Sequence, residues 1–163
     1  MDLFGKSPRP TSKSVEIKQK LAEVIGQKVF EWCNEETPLE DCIITSEKIL
    51  EQSYNEDGYQ LAKYFEDDGF GSDSELVGIL DSIWWERDKI LNEHIKKWVK
   101  EDNIQPQLNI GDKVKYKRRK EEVIAEIARI DKDVAQYLTY IEGIGQIKGK
   151  SGHIINFEDC EKI

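Results

Sequence analysis

A chain of 163 residues, 35% of them charged, carries a net charge of −9 at neutral pH. A chain of this length can bury one good core, or one medium and one small core that share an interface. Its longest apolar run is only a few residues, against the roughly 20 that span a bilayer, so the composition excludes a membrane protein.

The three cysteines are spaced irregularly, at Cys33, Cys42 and Cys160. An odd number without regular spacing favours reduced thiols over a disulfide framework. The N-terminus lacks a cationic segment followed by an apolar stretch, so no secretory signal is expected. Together these features predict a cytoplasmic protein.

The negative charge is concentrated in the first two thirds of the chain. Residues 1–104 carry 13 Lys and Arg against 23 Asp and Glu, whereas residues 105–163 carry 11 against 10. Residues 31–75, called the acidic segment below, hold 14 acidic residues against Lys48 and Lys63. The negative electrostatic potential of such a segment repels nucleic acid and attracts a basic protein surface. The alternative is that these carboxylates are the solvated faces of helices, a common route to solubility.

The first part of the chain is predicted to be helical. A flexible leader, residues 1–12, is followed by apolar residues at three- and four-residue steps from residue 14 to 33, which predicts a first helix. Pro38 ends that helix, because proline removes a donor and disfavours helix before it. Two shorter helices separated by an Asp-Gly turn are predicted between residues 41 and 70.

The clearest predicted element is a single long helix over residues 73–101. Ser72 and Glu75 match a capping box at its start. The periodicity places Trp84 in the core and Trp85 at the edge of the apolar face, because successive helical residues point about 100° apart. An edge tryptophan either covers a neighbouring part of the chain or anchors a partner.

The last third of the chain has the alternation and the turn residues of β-strands. Five strands and one helical turn are predicted, and with the helical part they give the fold class α+β. The strands cover residues 110–116, 122–130, 137–142, 146–157 (after a turn flanked by Gly143 and Gly145, and bent at Gly149 or Gly152) and 161–163, with the helical turn at 157–160. The predicted domains are the flexible leader 1–12, an acidic helical domain 13–104, a linker 105–109 and a small five-stranded β-barrel 110–163.

The predicted loop between the first two strands lacks the usual turn residues. Residues 118–121 contain no Gly, Pro, Asn or Asp, the residues that usually form tight turns.

The order of these C-terminal motifs resembles the Src-homology-3-like small barrels of the Tudor and KOW kind. The motifs are Gly-Asp-Lys-Val at residues 111–114, an aromatic-rich third strand, and a closing Phe-Glu-Asp-Cys-Glu-Lys-Ile at residues 157–163. Such barrels bind peptides, modified side chains, RNA or DNA, or dock on a neighbouring domain, so the resemblance does not choose a function. Similar tails occur in small proteins encoded by phages and mobile elements, which implies an origin of that kind.

No catalytic or metal-binding constellation is visible in the sequence. The chain has two histidines, His94 and His153, and no closely spaced cysteine pair, so no metal site and no cofactor are predicted. Cys33 and Cys42 lie in the acidic segment, where negative charge raises the pKa of a thiol and makes it a poor nucleophile. We therefore predict a non-enzymatic protein with no catalytic residues.

The leading functional hypothesis is a binding or regulatory protein whose acidic helical region docks on a basic protein surface. A partner that handles nucleic acid, and whose activity is modulated by the docking, fits this charge. The candidate partner-binding residues are Trp85, Glu56, Asp57, Glu66, Asp67 and Asp68.

The second hypothesis is a nucleic-acid-binding module that uses the basic first strand of the barrel. Six cations within residues 113–120 can follow a phosphate backbone, and an interleaved tyrosine can stack on a base. The candidate residues are Lys115, Tyr116, Lys117, Arg118, Arg119 and Lys120.

Overall fold

A computed structural model describes residues 7–52, 56–141 and 152–163. The chain forms two compact units, which we call the helical unit and the sheet unit. The helical unit is Pro10–His94, and the sheet unit is Ile95–Ile163 together with the N-terminal residues up to Arg9. The predicted linker, residues 105–109, lies wholly inside the sheet unit.

Five helices precede the sheet, and the α+β class predicted from the sequence is confirmed. Their bounds are α1 Val15–Trp32, α2 Leu39–Gln52, α3 Gly58–Asp67, α4 Ser74–Asp81 and α5 Ile83–Glu101. No helix among the described residues has the length and the apolar character needed to cross a membrane.

The core of the helical unit begins with α1. Ile17, Leu21, Ile25 and Val29 follow one another at four-residue steps and are all at most 5% exposed, because residues four apart lie on one face of a helix. This face packs with buried residues of α2, α3, α4 and α5 in one apolar cluster. The predicted first helix, residues 14–33, therefore forms with nearly the expected bounds.

The predicted single helix over residues 73–101 is wrong, because the chain breaks at Ser82 into α4 and α5. The Ser82 side chain donates a 2.6 Å hydrogen bond to the Ile79 carbonyl, and serine is a residue whose side chain competes for backbone groups in this way. The predicted capping box is also wrong. Asp73 caps α4 instead, accepting 2.9 Å hydrogen bonds from the backbone of Glu75 and Leu76.

The buried face of α5 excludes both Trp84 and Trp85. Ile83, Glu86 and Ile90 are buried, whereas Trp84 is 38% and Trp85 65% exposed. The prediction that Trp84 is a core residue is therefore wrong. The buried residues Leu80, Ile83 and Ile90 keep helical spacing across Ser82, and Trp84 lies outside that buried face.

The sheet unit contains one five-stranded antiparallel sheet of order β4-β3-β2-β1-β5. The strands are β1 Lys113–Arg118, β2 Glu121–Asp131, β3 Gln136–Ile141, β4 Gly152–Asn156 and β5 Cys160–Lys162, with a 3-10 turn at Phe157–Asp159 before β5. The start of the predicted fourth strand and the turns assigned to Gly143, Gly145 and Gly149 lie outside the described residues.

One face of the sheet forms the core of the sheet unit. Val114, Ile127, Tyr137 and Thr139 are at most 1% exposed, and the Tyr137 ring lies 4.3 Å, centroid to centroid, from that of Phe157. This burial follows the two-residue period of the strands. The 3-10 turn is thereby held against the sheet, which positions β5 beside β1.

The N-terminal segment Ser7–Arg9 contacts the sheet unit. The Arg9 guanidinium donates hydrogen bonds to the carbonyls of Val134 and Ala135 and pairs with Glu158 at 3.3 Å. Trp98 donates through its indole nitrogen to the Ser7 carbonyl at 3.0 Å. Ser7 and Arg9 belong to residues 1–12, the predicted flexible leader.

Candidate functional site

The carboxylates of the acidic segment lie almost entirely at the surface. Thirteen of the fourteen belong to exposed residues, and the exception, Glu56, is half-buried. No pair among them is therefore buried together in the way that general acid and base catalysis usually requires.

Eight of these carboxylates lie around one end of the helical unit, which we call the acidic pole. The C-terminal end of α1 and the N-terminal end of α4 are joined by a 3.1 Å hydrogen bond from the Trp32 indole to the Asp73 carboxylate. The loop after α3 is held by Ser72, whose hydroxyl donates to Glu66 at 3.4 Å. The members of the acidic pole are Glu31, Glu35, Glu36, Glu66, Asp67, Asp68, Asp73 and Glu75.

The helix ends at the acidic pole add to its negative potential. Helices α1 and α3 end there without a basic residue in the last turn, and Glu31, Glu66 and Asp67 stand in those turns instead. The C-terminus of a helix carries a partial negative charge, so acidic side chains there destabilise the helix. Among the described residues, Lys48 alone forms an ion pair at the acidic pole, 2.5 Å from Asp68.

Asp73 and Glu75 differ from the other members because they lie at the N-terminus of α4. Hydrogen bonds from the Leu76 backbone, from the Trp32 indole and from the Glu75 backbone lower the pKa of Asp73 below its usual value of 3.8. This carboxylate stays ionised at neutral pH and fixes the relation of α4 to α1.

The structure brings together three of the six predicted partner-binding residues. Glu66, Asp67 and Asp68 belong to the acidic pole, whereas Glu56 and Asp57 lie at the opposite end of α3. That helix has 10 residues, which is about 15 Å at 1.5 Å per residue. Trp85 is on α5, with the Lys89 ammonium 5.5 Å from its ring centroid.

Five members of the acidic pole were not among the sequence candidates. Their only signal in the sequence was membership of the acidic segment, and three helices must pack before they meet. They are Glu31, Glu35, Glu36, Asp73 and Glu75.

The basic first strand of the sheet faces carboxylates of its neighbours. In register, Lys113 opposes Glu126 on β2, and Lys115 opposes Glu161 on β5. Lys115 lies 3.9 Å from Glu122 and 3.6 Å from Glu161. Opposite charges on facing strands stabilise the sheet and offset the positive charge that a nucleic acid would meet. The other opposed pairs are Lys117 with Glu122 and Arg118 with Glu121.

Tyr116, the predicted stacking residue, is in the core of the sheet unit. It is 7% exposed, and its hydroxyl lies 3.5 Å from that of Thr139. A base needs an open aromatic face to stack on, so Tyr116 does not offer one in this arrangement.

A groove lies between the two edges of the sheet. Its volume is about 1160 Å³. Residues of β1, β4 and β5 line it, including five of the six nucleic-acid candidates: Lys115, Tyr116, Lys117, Arg118 and Arg119. Lys120, the sixth candidate, is exposed beside Arg119 in the hairpin loop.

Cys160 and His153 also line this groove but stand on its opposite strands, β5 and β4. Burial, with the nearby Asp159 and Glu158, raises the pKa of the Cys160 thiol to about 11. Burial also raises the pKa of Cys42 to about 11, with Cys33 and Asp41 adding smaller effects. Both thiols are therefore protonated at neutral pH, whereas a nucleophilic cysteine acts as the thiolate.

No group of three or more His, Cys, Asp or Glu side chains in the described parts of the chain is arranged to hold a metal ion. All three cysteines are free thiols.

In the comparisons with known proteins, no family model matches the chain, and no curated protein or solved structure is similar to it at a significant level.

Proposed function

We propose that this chain is a non-enzymatic cytoplasmic binding protein whose acidic pole docks on a basic surface of another protein. The observation that carries the proposal is the gathering of eight carboxylates, with one paired lysine, around the ends of α1, α3 and α4. A partner that handles nucleic acid presents a basic surface of this kind, and docking on it would occupy the site that nucleic acid uses.

The placement of the charges supports binding over solubility alone. Solubility is served by acidic residues anywhere on a surface, but Glu31, Glu66 and Asp67 stand at helix C-termini, where negative charge costs stability. A cationic partner offsets that cost when it binds. Complementary charge also speeds association and makes affinity depend on salt.

The test is capture of partners from the source cell by the wild type and by a charge variant, E35Q/E36Q/E66Q/D67N. A matched control, E16Q/E23Q/E93Q/E101Q, removes the same charge from exposed residues outside the acidic pole. Basic partners retained at low salt should be lost by the first variant and kept by the second. Equal retention by both variants, or binding that is indifferent to salt, contradicts the proposal.

Nucleic-acid binding by the sheet unit is the second candidate function. The groove lined by Lys117, Arg118 and Arg119 favours it, and the carboxylates opposite β1 count against it. The test is titration of single- and double-stranded DNA and RNA, at about 50 mM salt, into the wild type and K117A/R118A/R119A. Phosphate contacts should weaken steeply with salt and in the variant for all sequences alike. If the wild type binds no nucleic acid, this second candidate function is contradicted.

We also infer that the five-stranded sheet closes into a small barrel of the Src-homology-3-like kind. Pairing of β5 with β1 leaves β4 and β5 as the two edges, with residues of both along one groove. Nuclear Overhauser contacts between side chains of β4 and β5 should appear if the edges meet. An open sheet gives none.

A further inference from the structure

The helical unit contains a narrow apolar cleft that is separate from the acidic pole. Its volume is about 40 Å³, where a single water needs roughly 10–15 Å³. Such a slot suits an unbranched chain of a few heavy atoms better than a ring. Its apolar walls come from α1, α2, α3 and the start of α5: Ile17, Leu21, Leu50, Leu61, Ile83 and Trp84.

A carboxylate oxygen without a partner borders this cleft. Glu56 lines it, and its Oε2 atom is buried without a hydrogen-bond partner among the described residues. The other oxygen, Oε1, accepts a 3.2 Å hydrogen bond from the Tyr64 hydroxyl. Buried polar atoms in native proteins are nearly always paired, so an exception requires an explanation such as an absent ligand.

The other charged groups around the cleft make it favourable for a cation. Glu47 and Glu51 add two exposed carboxylates to its lining. Of the two lining cations, Lys18 is exposed. The second, Arg87, has its guanidinium 4.5 Å from the Trp84 ring centroid and donates to Asp88 at 2.8 Å.

We propose that this cleft receives a lysine side chain of the basic partner, with its ammonium on Glu56 Oε2. The inference rests on the proposed function and names the contact that anchors the partner. The four-carbon stem of the lysine lies along Leu21, Leu50 and Leu61, where it is removed from water. The ammonium supplies the hydrogen bond that Oε2 lacks.

The geometry favours lysine over arginine as the anchor. A guanidinium is planar and binds a carboxylate best through both oxygens at once. Because Glu56 Oε1 is already held by Tyr64, a single oxygen remains. One compact ammonium on an unbranched stem matches one unpaired acceptor on a residue that lines a narrow apolar slot.

The test uses n-pentylamine as a probe of the lysine side chain and n-pentanol as its uncharged counterpart. Both are titrated into the full chain at neutral pH, and the NMR shifts of the Trp84 indole and the Leu50 and Leu61 methyls are followed. We expect saturable shifts with pentylamine, in the millimolar range, and at least tenfold weaker binding of pentanol. Equal binding of the two probes, or no shift with pentylamine up to about 50 mM, overturns the proposal.

A matched pair of variants tests the role of the carboxylate. Glu56→Gln keeps the Oε1 acceptor for Tyr64 but removes the charge, and it should weaken pentylamine binding at least tenfold. Glu93→Gln removes an exposed charge outside the cleft and should leave binding within twofold. If Glu56→Gln does not fold, the comparison of the two probes on the wild type decides.

The outcomes separate this inference from the proposed function. The variant E35Q/E36Q/E66Q/D67N should bind pentylamine like the wild type, because none of its substitutions lines the cleft. If that variant loses partner capture but the wild type does not bind pentylamine, the proposed function stands and the lysine anchor is contradicted. If the wild type binds pentylamine but captures no partner in a salt-dependent way, the cleft binds alkylammonium groups and the proposed docking of the acidic pole is contradicted.

Discussion

Arg119 occupies the left-handed region of backbone conformation, with φ of 57°, at the tip of the first hairpin. β1 and β2 are joined there by two residues, since Arg118 pairs with Glu121. This φ explains how the loop turns without the residues that usually form such turns. It also costs free energy, because a side chain in this region crowds the following carbonyl.

Replacement of Arg119 by glycine should stabilise the sheet unit. Glycine adopts positive φ without the steric penalty, and the expected gain is about 0.5–1 kcal/mol after its greater freedom in the unfolded chain is subtracted. The measurement is native-state hydrogen exchange of amides in β1 and β2. The matched control is Lys120→Gly, where φ is not positive, and which should be neutral or destabilising. A loss of protection with Arg119→Gly contradicts the prediction.

Glu86 is a buried carboxylate that depends on Lys28. The two side chains form a 2.6 Å ion pair and are 34% (Lys28) and 9% (Glu86) exposed. Lys28→Met leaves the carboxylate buried without its cation and should cost about 2 kcal/mol, less than a fully buried pair because water reaches the lysine. The double variant K28M/E86M should recover much of that loss. Urea unfolding of the single and double variants gives the comparison, and additive losses would argue against a pairwise cause.

The lowered pKa of Asp73 predicts how stability depends on acid. Its folded pKa lies below 3.8, so the stabilisation is complete above the unfolded pKa and is lost as pH falls through the folded value. The Tm difference between the wild type and Asp73→Ala should therefore be constant near neutral pH and shrink below about pH 4. Thermal unfolding from pH 2 to 7 measures it. A difference that does not change with pH would exclude the ionised cap as its source.

At the scale of elements, the contact between α1 and α2 is set by Gly26. A Cβ at this position would lie 2.7 Å from the Ile43 Cα and 2.9 Å from its nitrogen. Both atoms are backbone, so the helices would have to separate. At Gly78, in α4, an added Cβ would meet nothing within 4 Å.

The two glycines therefore predict opposite effects of the same substitution. Gly26→Ala should destabilise the helical unit by about 1–3 kcal/mol through overpacking. Gly78→Ala should stabilise it by about 0.5–1 kcal/mol, because alanine is the better helix former. Denaturant unfolding monitored by circular dichroism at 222 nm compares them. Effects of the same sign would show that the close α1–α2 contact does not decide the outcome.

At the scale of the molecule, part of the negative charge that gives the net charge of −9 lies where it opposes stability. The acidic pole combines like charges with the negative ends of α1 and α3. A surface selected only for folding would place cations at these helix ends. The arrangement is the one expected if a partner supplies the cations.

Neutralising the acidic pole should therefore stabilise the free protein. E35Q/E36Q/E66Q/D67N should raise the Tm by about 2–6 °C at low salt, and more than the control E16Q/E23Q/E93Q/E101Q. The gain should shrink near 1 M salt, where the Debye length falls to about 3 Å. Differential scanning calorimetry at both salt concentrations tests this. Equal gains from the two variants would mean that net charge alone is responsible.

Local pattern determined most of the secondary structure. Four-residue apolar steps predicted α1. Alternation after a turn at Gly111 predicted β1, and the turn at residues 131–133 separated β2 from a third strand rich in β-branched and aromatic residues. The acidic segment was visible as composition. These features depend on residues that are close in sequence, so they can be predicted from the sequence alone.

The tertiary structure decided which residues meet and which face of a helix is buried. Packing in the helical unit buried Ile83 and Ile90 but left Trp84 38% exposed, and apolar periodicity does not distinguish these neighbouring residues. The acidic pole and the Glu56 cleft both need several helices to pack, since their members come from positions tens of residues apart. Sequence alone determined that the chain is acidic and helical before it is β-stranded. Packing decided where the carboxylates gather and that Glu56 Oε2 lacks a partner among the described residues. Both depend on contacts between distant parts of the chain.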